Sequence, residues 1–337
     1  MLVGYFGKGT LEVSFSTAFQ GLGCEVFCFD IASSVKRFCR IGSFGRFFNT
    51  FVPVDPWIRK ANREMVLEAR RFVPDLFVAF GQNSVQAGAL AQIRSMTDSK
   101  TVFVWPDSLL NLSAPLITAL PLYDLVATYG NSTVSQFERL GAGCVRWIAL
   151  AADNSMHGDV SRHDTVSGAH VADVAFIGQW RPEREAAIGT ILDAFPGMDV
   201  KIWGPDWGRR CRGKSRILKS WQGRPLHEKE FAATISGSKV NLNIIDDTTY
   251  PSANMRFFEI PCAGGLQVCS PCPEMDKTFR DGETIFYYSR IDDLPPLLDT
   301  LLHNDELRNR VARNAHDLVN REHTYMHRVR QILDVVR

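Results

Sequence analysis

The stretch Asn254 to Gly265, NMRFFEIPCAGG, holds the residues best suited to chemistry. A Pro-Ser turn precedes it, Met255, Phe258 and Cys262 recur at helical spacing, and a glycine pair ends the run before the apolar strand Leu266 to Cys269. The opening N–H groups of a helix have no intrahelical partner, and the macrodipole there favours anions by roughly 0.3 to 1 kcal/mol per charge. Asn254, Met255 and Arg256 at such an end suit a diphosphate. Glu259 falls five residues after Asn254, about a turn and a half along, and offers ribose hydroxyls a carboxylate acceptor. The plainer reading of Glu259 is an exposed helical acid.

Further candidates follow strand ends in the same half. Gly178 closes a strand and precedes Arg181 and Arg184, which are three residues apart at a helix start and share a face. Guanidinium forks match phosphate oxygens, so Arg184, supported by Arg181, is a diphosphate clamp; alternatively one or both are solvated and paired with Glu183 or Glu185. Gly223 and Arg224 precede a helix starting near His227 and can present backbone groups to a base edge.

The elements that must position these residues alternate between strand and helix. In the first half, strands are expected at Leu2 to Phe6, Glu25 to Phe29, Leu76 to Phe80, Thr101 to Trp105, Leu125 to Tyr129 and Val145 to Ala149. In the second they fall at Val174 to Ile177, Val200 to Trp203, Val240 to Ile244, Leu266 to Cys269 and Ile285 to Tyr288. Helical segments separate them, as over Ile58 to Phe72, Pro182 to Phe195 and Asn254 to Ala263, and Tyr325 to Val336 forms the last helix. Such alternation gives parallel sheets covered on both faces. The boundaries are an N-terminal Rossmann-like domain over 1–153, a polar linker over 154–171, a second domain over 172–320 and a closing segment over 321–337. Tandem sheets of this kind bind ligands at the carboxyl ends of their strands, facing a cleft.

Bulk properties narrow the classes. A length of 337 residues suits two domains, and a net charge of +1 gives no basic surplus for nucleic acid. No apolar run approaches a membrane span and no secretory leader pattern opens the chain, so a cytoplasmic protein without a transmembrane segment is expected. The pair Cys269 and Cys272 lacks the second pair of a zinc site. The loop Gly7 to Thr10 has neither dinucleotide nor Walker spacing. His323 and His327, four residues apart, read as a polar seam where the last helix docks. The Phe-rich segment Phe38 to Phe51 reads as a first-domain loop near an acceptor, with nucleic-acid stacking as the minority view.

The runs AFIGQWRPER, KIWGPDW, SKVNLNI, NMRFFEIPCAGG, FRDGETIFYYS and HTYMHRVRQIL, with YFGKG, VFVWPD and DLVATYG in the first half, resemble the CgeB-like spore-maturation-protein family of glycosyltransferases. The resemblance implies a GT-B fold, with a nucleotide-sugar donor bound mainly by the second domain, an acceptor bound mainly by the first, and a C-terminal helix crossing back to the first. It implies no metal and no cofactor beyond the donor itself. Glu259 takes the place of the ribose-binding Glu, and Arg184 that of the basic residue near the diphosphate. Asn254 and Met255 offer backbone N–H groups, and Arg256 matches the core Arg. Asp107, in the VFVWPD turn, is the first candidate for a base acting on a hydroxyl acceptor, with Glu12 behind it. Pro251 stands where many retaining relatives carry a second Glu. The acceptor is open among a polysaccharide, a protein, a small molecule and modified DNA. The alternatives are a sugar-nucleotide epimerase on the same frame and a non-catalytic sugar-nucleotide binder.

Overall fold

A computed structural model describes residues 1–39, 55–81, 84–158 and 170–337. Most of the Phe-rich segment, and residues 159–169 of the expected linker, lie outside the described residues. The chain forms two compact units, one of Met1–Ala149 with Tyr325–Arg337 and one of Leu150–Thr324.

In the first unit six strands pair in parallel in the order β2-β1-β3-β4-β5-β6. They are β1 (Leu2–Gly4), β2 (Cys28–Asp30), β3 (Leu76–Phe80), β4 (Lys100–Trp105), β5 (Leu125–Thr128) and β6 (Val145–Trp147). The central strands are continuous apolar runs because helices cover both faces, leaving no polar side to alternate. β1 ends at Gly4, earlier than its apolar run suggests. The reason is local: a Cβ on Gly4 would lie 2.6 Å from Glu12 Cγ, and the N–H of Tyr5 donates to Glu12 Oε1 at 3.3 Å, so the chain leaves the sheet there. The Asp55–Phe72 helix buries Ala61, Met65 and Ala69, which its four-residue spacing puts on one stripe. The Tyr325–Val336 helix belongs to this unit: Tyr325 packs its ring 5.1 Å from that of Phe15, and Arg328 Nε donates to the Ala149 carbonyl at 2.8 Å. Burial lowers the Arg328 pKa to about 10.

In the second unit five strands pair in parallel in the order β11-β10-β9-β7-β8. These are β7 (Ala172–Ile177), β8 (Val200–Trp203), β9 (Ser238–Asn243), β10 (Gln267–Cys269) and β11 (Phe286–Tyr287). Alternation along β7 sends Val174 and Phe176 into one core and Ala175 and Ile177 into another, one core on each face. The opening of the expected linker is ordered here. Asp153 Oδ1 accepts from the Ser155 N–H, capping a short Asn154–His157 helix, and Asn154 Nδ2 donates to Asn320 Oδ1.

Candidate functional site

Strand order in the second sheet reverses at β7, whose neighbours are β8 on one side and β9 on the other. Two crossovers leave in opposite directions there, which opens a crevice at the carboxyl ends of β7 and β9. Arg184 spans that point. Its Nη1 donates to the Gln179 carbonyl at 2.9 Å, its Nε to the Ile244 carbonyl at 3.1 Å, and its Nη2 pairs with Asp246 Oδ2 at 2.9 Å. Burial pushes the guanidinium pKa down and Asp246 opposes the shift. Burial alone would raise Asp246, but bonds from Thr248 and Thr249 and the charge of Arg184 leave it below the ordinary range.

Arg181 lies close enough to Arg184 and Asp246 for its charge to act on both. Arg181 is the N-cap of the Pro182–Ala194 helix, with extended backbone (φ −146, ψ 154). Its side chain is exposed and forms no ion pair with a described residue. Arg184 therefore ties the strand-end loops together, and Arg181 presents an exposed cation beside them.

The Arg256–Cys262 helix begins two residues later than its apolar spacing suggests, with Met255 at its N-cap and Asn254 one residue before it. Asn254 Oδ1 accepts from the Phe257 N–H at 3.1 Å, while its Nδ2 donates to Asn243 Oδ1 at 2.8 Å, at the end of β9. The N–H groups of Met255 and Arg256 make no hydrogen bond to a described residue. With this start Glu259 sits in the first turn. It is 2% exposed, which excludes the solvent-facing reading. Arg256 Nη1 donates to Glu259 Oε2, Arg256 Nε donates to the Ile177 carbonyl at 3.3 Å, and the guanidinium lies 4.4 Å over the Phe231 ring. His157 Nε2 approaches Glu259 Oε1 at 3.9 Å. No spacing pointed to His157, since it lies in the stretch read as linker. The Asp-Asn-Ser cap signature just before it is the signal that could have found its helix.

The remaining strand-end loops close around backbone. Gly204 has φ +138, and a Cβ there would lie 2.1 Å from the Gly178 carbonyl oxygen. Gly178 in turn accepts from Trp207 Nε1 at 2.9 Å. Gly223, with φ +77, leads into Arg224, whose carbonyl accepts from the Gly204 N–H at 3.1 Å. The Arg224 side chain forks onto both oxygens of Glu230 at 2.7 and 2.9 Å, exposed to solvent. Gly204→Ala combines left-handed strain with a backbone clash and should cost about 2–5 kcal/mol. A fall in melting temperature on the order of 5–15 °C is expected. Gly197→Ala, where a Cβ meets nothing, is the control and should melt like the parent. Equal melting of both variants would refute the close approach.

In the first unit Glu12 and Asp107 follow different strands. β3 lies between β1 and β4, so the two strand ends are roughly 10 Å apart. Both Asp107 oxygens close its own loop, accepting from the Ser108 N–H and from Asn111 Nδ2, each at 2.7 Å. Glu12 lies at the reversal of strand order in this sheet, and burial raises its carboxyl pKa against the N–H and Thr10 bonds that lower it.

Other motifs resolve structurally. His323 and His327 do not share a helix, because His323 ends the Asp305–Glu322 helix and its ring lies 5.5 Å from Phe258 and 5.3 Å from Phe279. Cys269 and Cys272 are buried thiols, with the latter pushed up to about 12 by burial. Among the described residues no three His, Cys, Asp or Glu side chains gather as a metal site, and no helix is long and apolar enough to cross a membrane.

Residues 183–334 match the family model described as glycosyl transferase-like. No curated protein matches the chain by sequence. Among solved structures, HepE of Anabaena in complex with UDP is 12% identical, with 99% of this chain and 98% of that one covered at a TM-score of 0.60. Sucrose-phosphate synthase from Thermosynechococcus elongatus is 10% identical, with 99% and 98% covered at 0.66. Trehalose 6-phosphate synthase from Burkholderia multivorans is 12% identical, with 99% and 97% covered at 0.64. Residues 183–334 thus match the glycosyl transferase-like family model, and the whole chain shares the GT-B fold of these structures.

Proposed function

We propose that the chain transfers a glycosyl group from a uridine diphosphate sugar to a hydroxyl acceptor, with the donor nucleotide held by the second unit. The observation that carries this reading is the buried Glu259 carboxylate. It stands in the first turn of a helix whose Met255 and Arg256 N–H groups make no hydrogen bond to a described residue, beside the strand reversal. Uridine is chosen because HepE of Anabaena has been solved with UDP and with UDP-glucose. Arg181 and the amides of Met255 and Arg256 meet the diphosphate, Glu259 accepts from the ribose, and the Gly223–Arg224 backbone faces the base. Arg184 holds the loops and does not itself grip phosphate. Within the glycosyltransferases, the NMRFFEIPCAGG run favours the CgeB-like subfamily.

The chemistry follows from charge. As the acceptor oxygen bonds to the anomeric carbon, the bond from that carbon to the diphosphate breaks and UDP departs with the electron pair. Donors aimed at the leaving oxygens lower this barrier. Glu12 of the first unit takes the acceptor proton, and Asp107 shapes its loop.

A thermal-shift series with UDP, GDP, TDP and ADP tests the donor. UDP at a hundred times its Kd should stabilise by about 2.7 kcal/mol. A shift with another nucleotide alone overturns uridine, and no shift with any overturns the donor site.

A further inference from the structure

We propose that His157 is a positioning residue for Glu259, fixing the orientation of the carboxylate that reads the ribose; the inference rests on the donor-site reading above. Glu259 Oε2 is committed to Arg256, so Oε1 is the oxygen left for a ligand hydroxyl. Each carboxylate oxygen has two acceptor directions, and orientation requires that the unused one be fixed. His157 Nε2 lies 3.9 Å from Oε1.

The imidazole is built into place by three independent supports. Its ring stands edge-on against Phe231, with centroids 5.3 Å apart at 73°, and the same aromatic ring carries the Arg256 guanidinium on its face. One platform therefore sets both nitrogen partners of the acid. The His157 N–H donates to the Asp153 carbonyl at 2.8 Å, closing the short capped helix. That helix is tied to the Asp305–Glu322 helix through Asn154 and Asn320.

The arrangement is also incomplete. Among the described residues His157 Nδ1 is buried with no hydrogen-bond partner, as is Asp153 Oδ2 one turn earlier, and the 3.9 Å separation exceeds a hydrogen bond. Buried polar atoms are rarely left unpaired in a finished network. A small advance of the ring toward Oε1 completes the clamp when a hydroxyl engages the acid. His157 thus acts through Glu259 and does not touch the reacting atoms.

The test compares UDP with 2′-deoxy-UDP by calorimetry on the full chain. The parent should prefer UDP, and Glu259→Gln should abolish that preference. His157→Phe keeps a ring against Phe231 and removes both nitrogens; it should weaken UDP about 5- to 20-fold while changing 2′-deoxy-UDP by less than about twofold. His157→Gln restores an N–H near the Nε2 position and should recover most of the preference, whereas His157→Asn should not. In the Glu259→Gln background His157→Phe should add nothing. Equal weakening of both nucleotides, equal behaviour of the Gln and Asn variants, or full additivity with Glu259→Gln would each overturn the proposal. If Glu259→Gln itself keeps the preference, the donor-site reading fails; if it loses the preference while His157→Phe keeps it, only the role of His157 fails. Should His157→Phe not fold, the contrast between the Gln and Asn variants decides.

Discussion

Glu12→Gln should lower kcat by about 10²- to 10⁴-fold while leaving UDP affinity and folding intact. The side chain is placed by the end of β1: with no side chain on Gly4, Glu12 Cγ packs against the strand, and the Tyr5 N–H fixes Oε1. Gln preserves that acceptor and removes only the basic oxygen. Burial raises the Glu12 pKa, which brings a carboxylate closer to the working range of a general base. The acid limb of the parent kcat profile should therefore lie above the ordinary glutamate range, and the variant should lack it. The stability sign runs the other way. For an acid whose folded pKa is raised, the favourable contribution is complete below the unfolded pKa and disappears as pH rises through the folded one. At neutral pH the buried charge is a burden on the fold, so Glu12→Gln should melt at the same temperature as the parent or higher. An inactive variant that is no less stable is the signature of a functional group held at the expense of the fold. Activity at the parent level would remove Glu12 from the reaction.

The architecture was legible because the signals that specify it are local and redundant. Eleven apolar runs became eleven parallel strands in two sheets, and the helices between them left few ways to pair. The last helix was equally plain, since Tyr325, Val329 and Ile332 form one apolar stripe. Side-chain allegiance was not legible. Arg181 and Arg184 look equivalent in sequence, and only the pairing of β7 with β9 decides that Ile244 and Asp246 meet Arg184 and not its neighbour. Asp107 was the first base candidate, yet Ser108 and Asn111 take up its oxygens, a turn chemistry common to Asp after a strand. His157 was hidden for the opposite reason. It is more than a hundred residues from Glu259 along the chain, so nothing in local spacing could join them.

Glu259→Gln should weaken UDP by about 10- to 150-fold, the loss of one or two hydrogen bonds to a charged acceptor at roughly 1.5–3 kcal/mol. The sequence alone suggests that Ala could be used here at no expense to stability. Burial overturns that choice, because truncating a side chain 2% exposed leaves a hole and strands its Arg256 partner. Gln keeps the volume and can still accept from Arg256, so the unliganded protein should lose no more than about 1–2 kcal/mol. The amide also turns one acceptor into a donor, which opposes a ribose hydroxyl. Since ribose contacts are present in the ground state and persist in the transition state, the loss should appear in the donor KM and in Kd, with kcat nearly retained at saturation. Glu12→Gln should show the reverse, a collapsed kcat with unaltered UDP binding. The two variants together separate binding by the second unit from proton removal by the first. A Glu259→Gln protein that binds UDP as tightly as the parent would show that the buried acid serves only the fold, and that the nucleotide is read elsewhere.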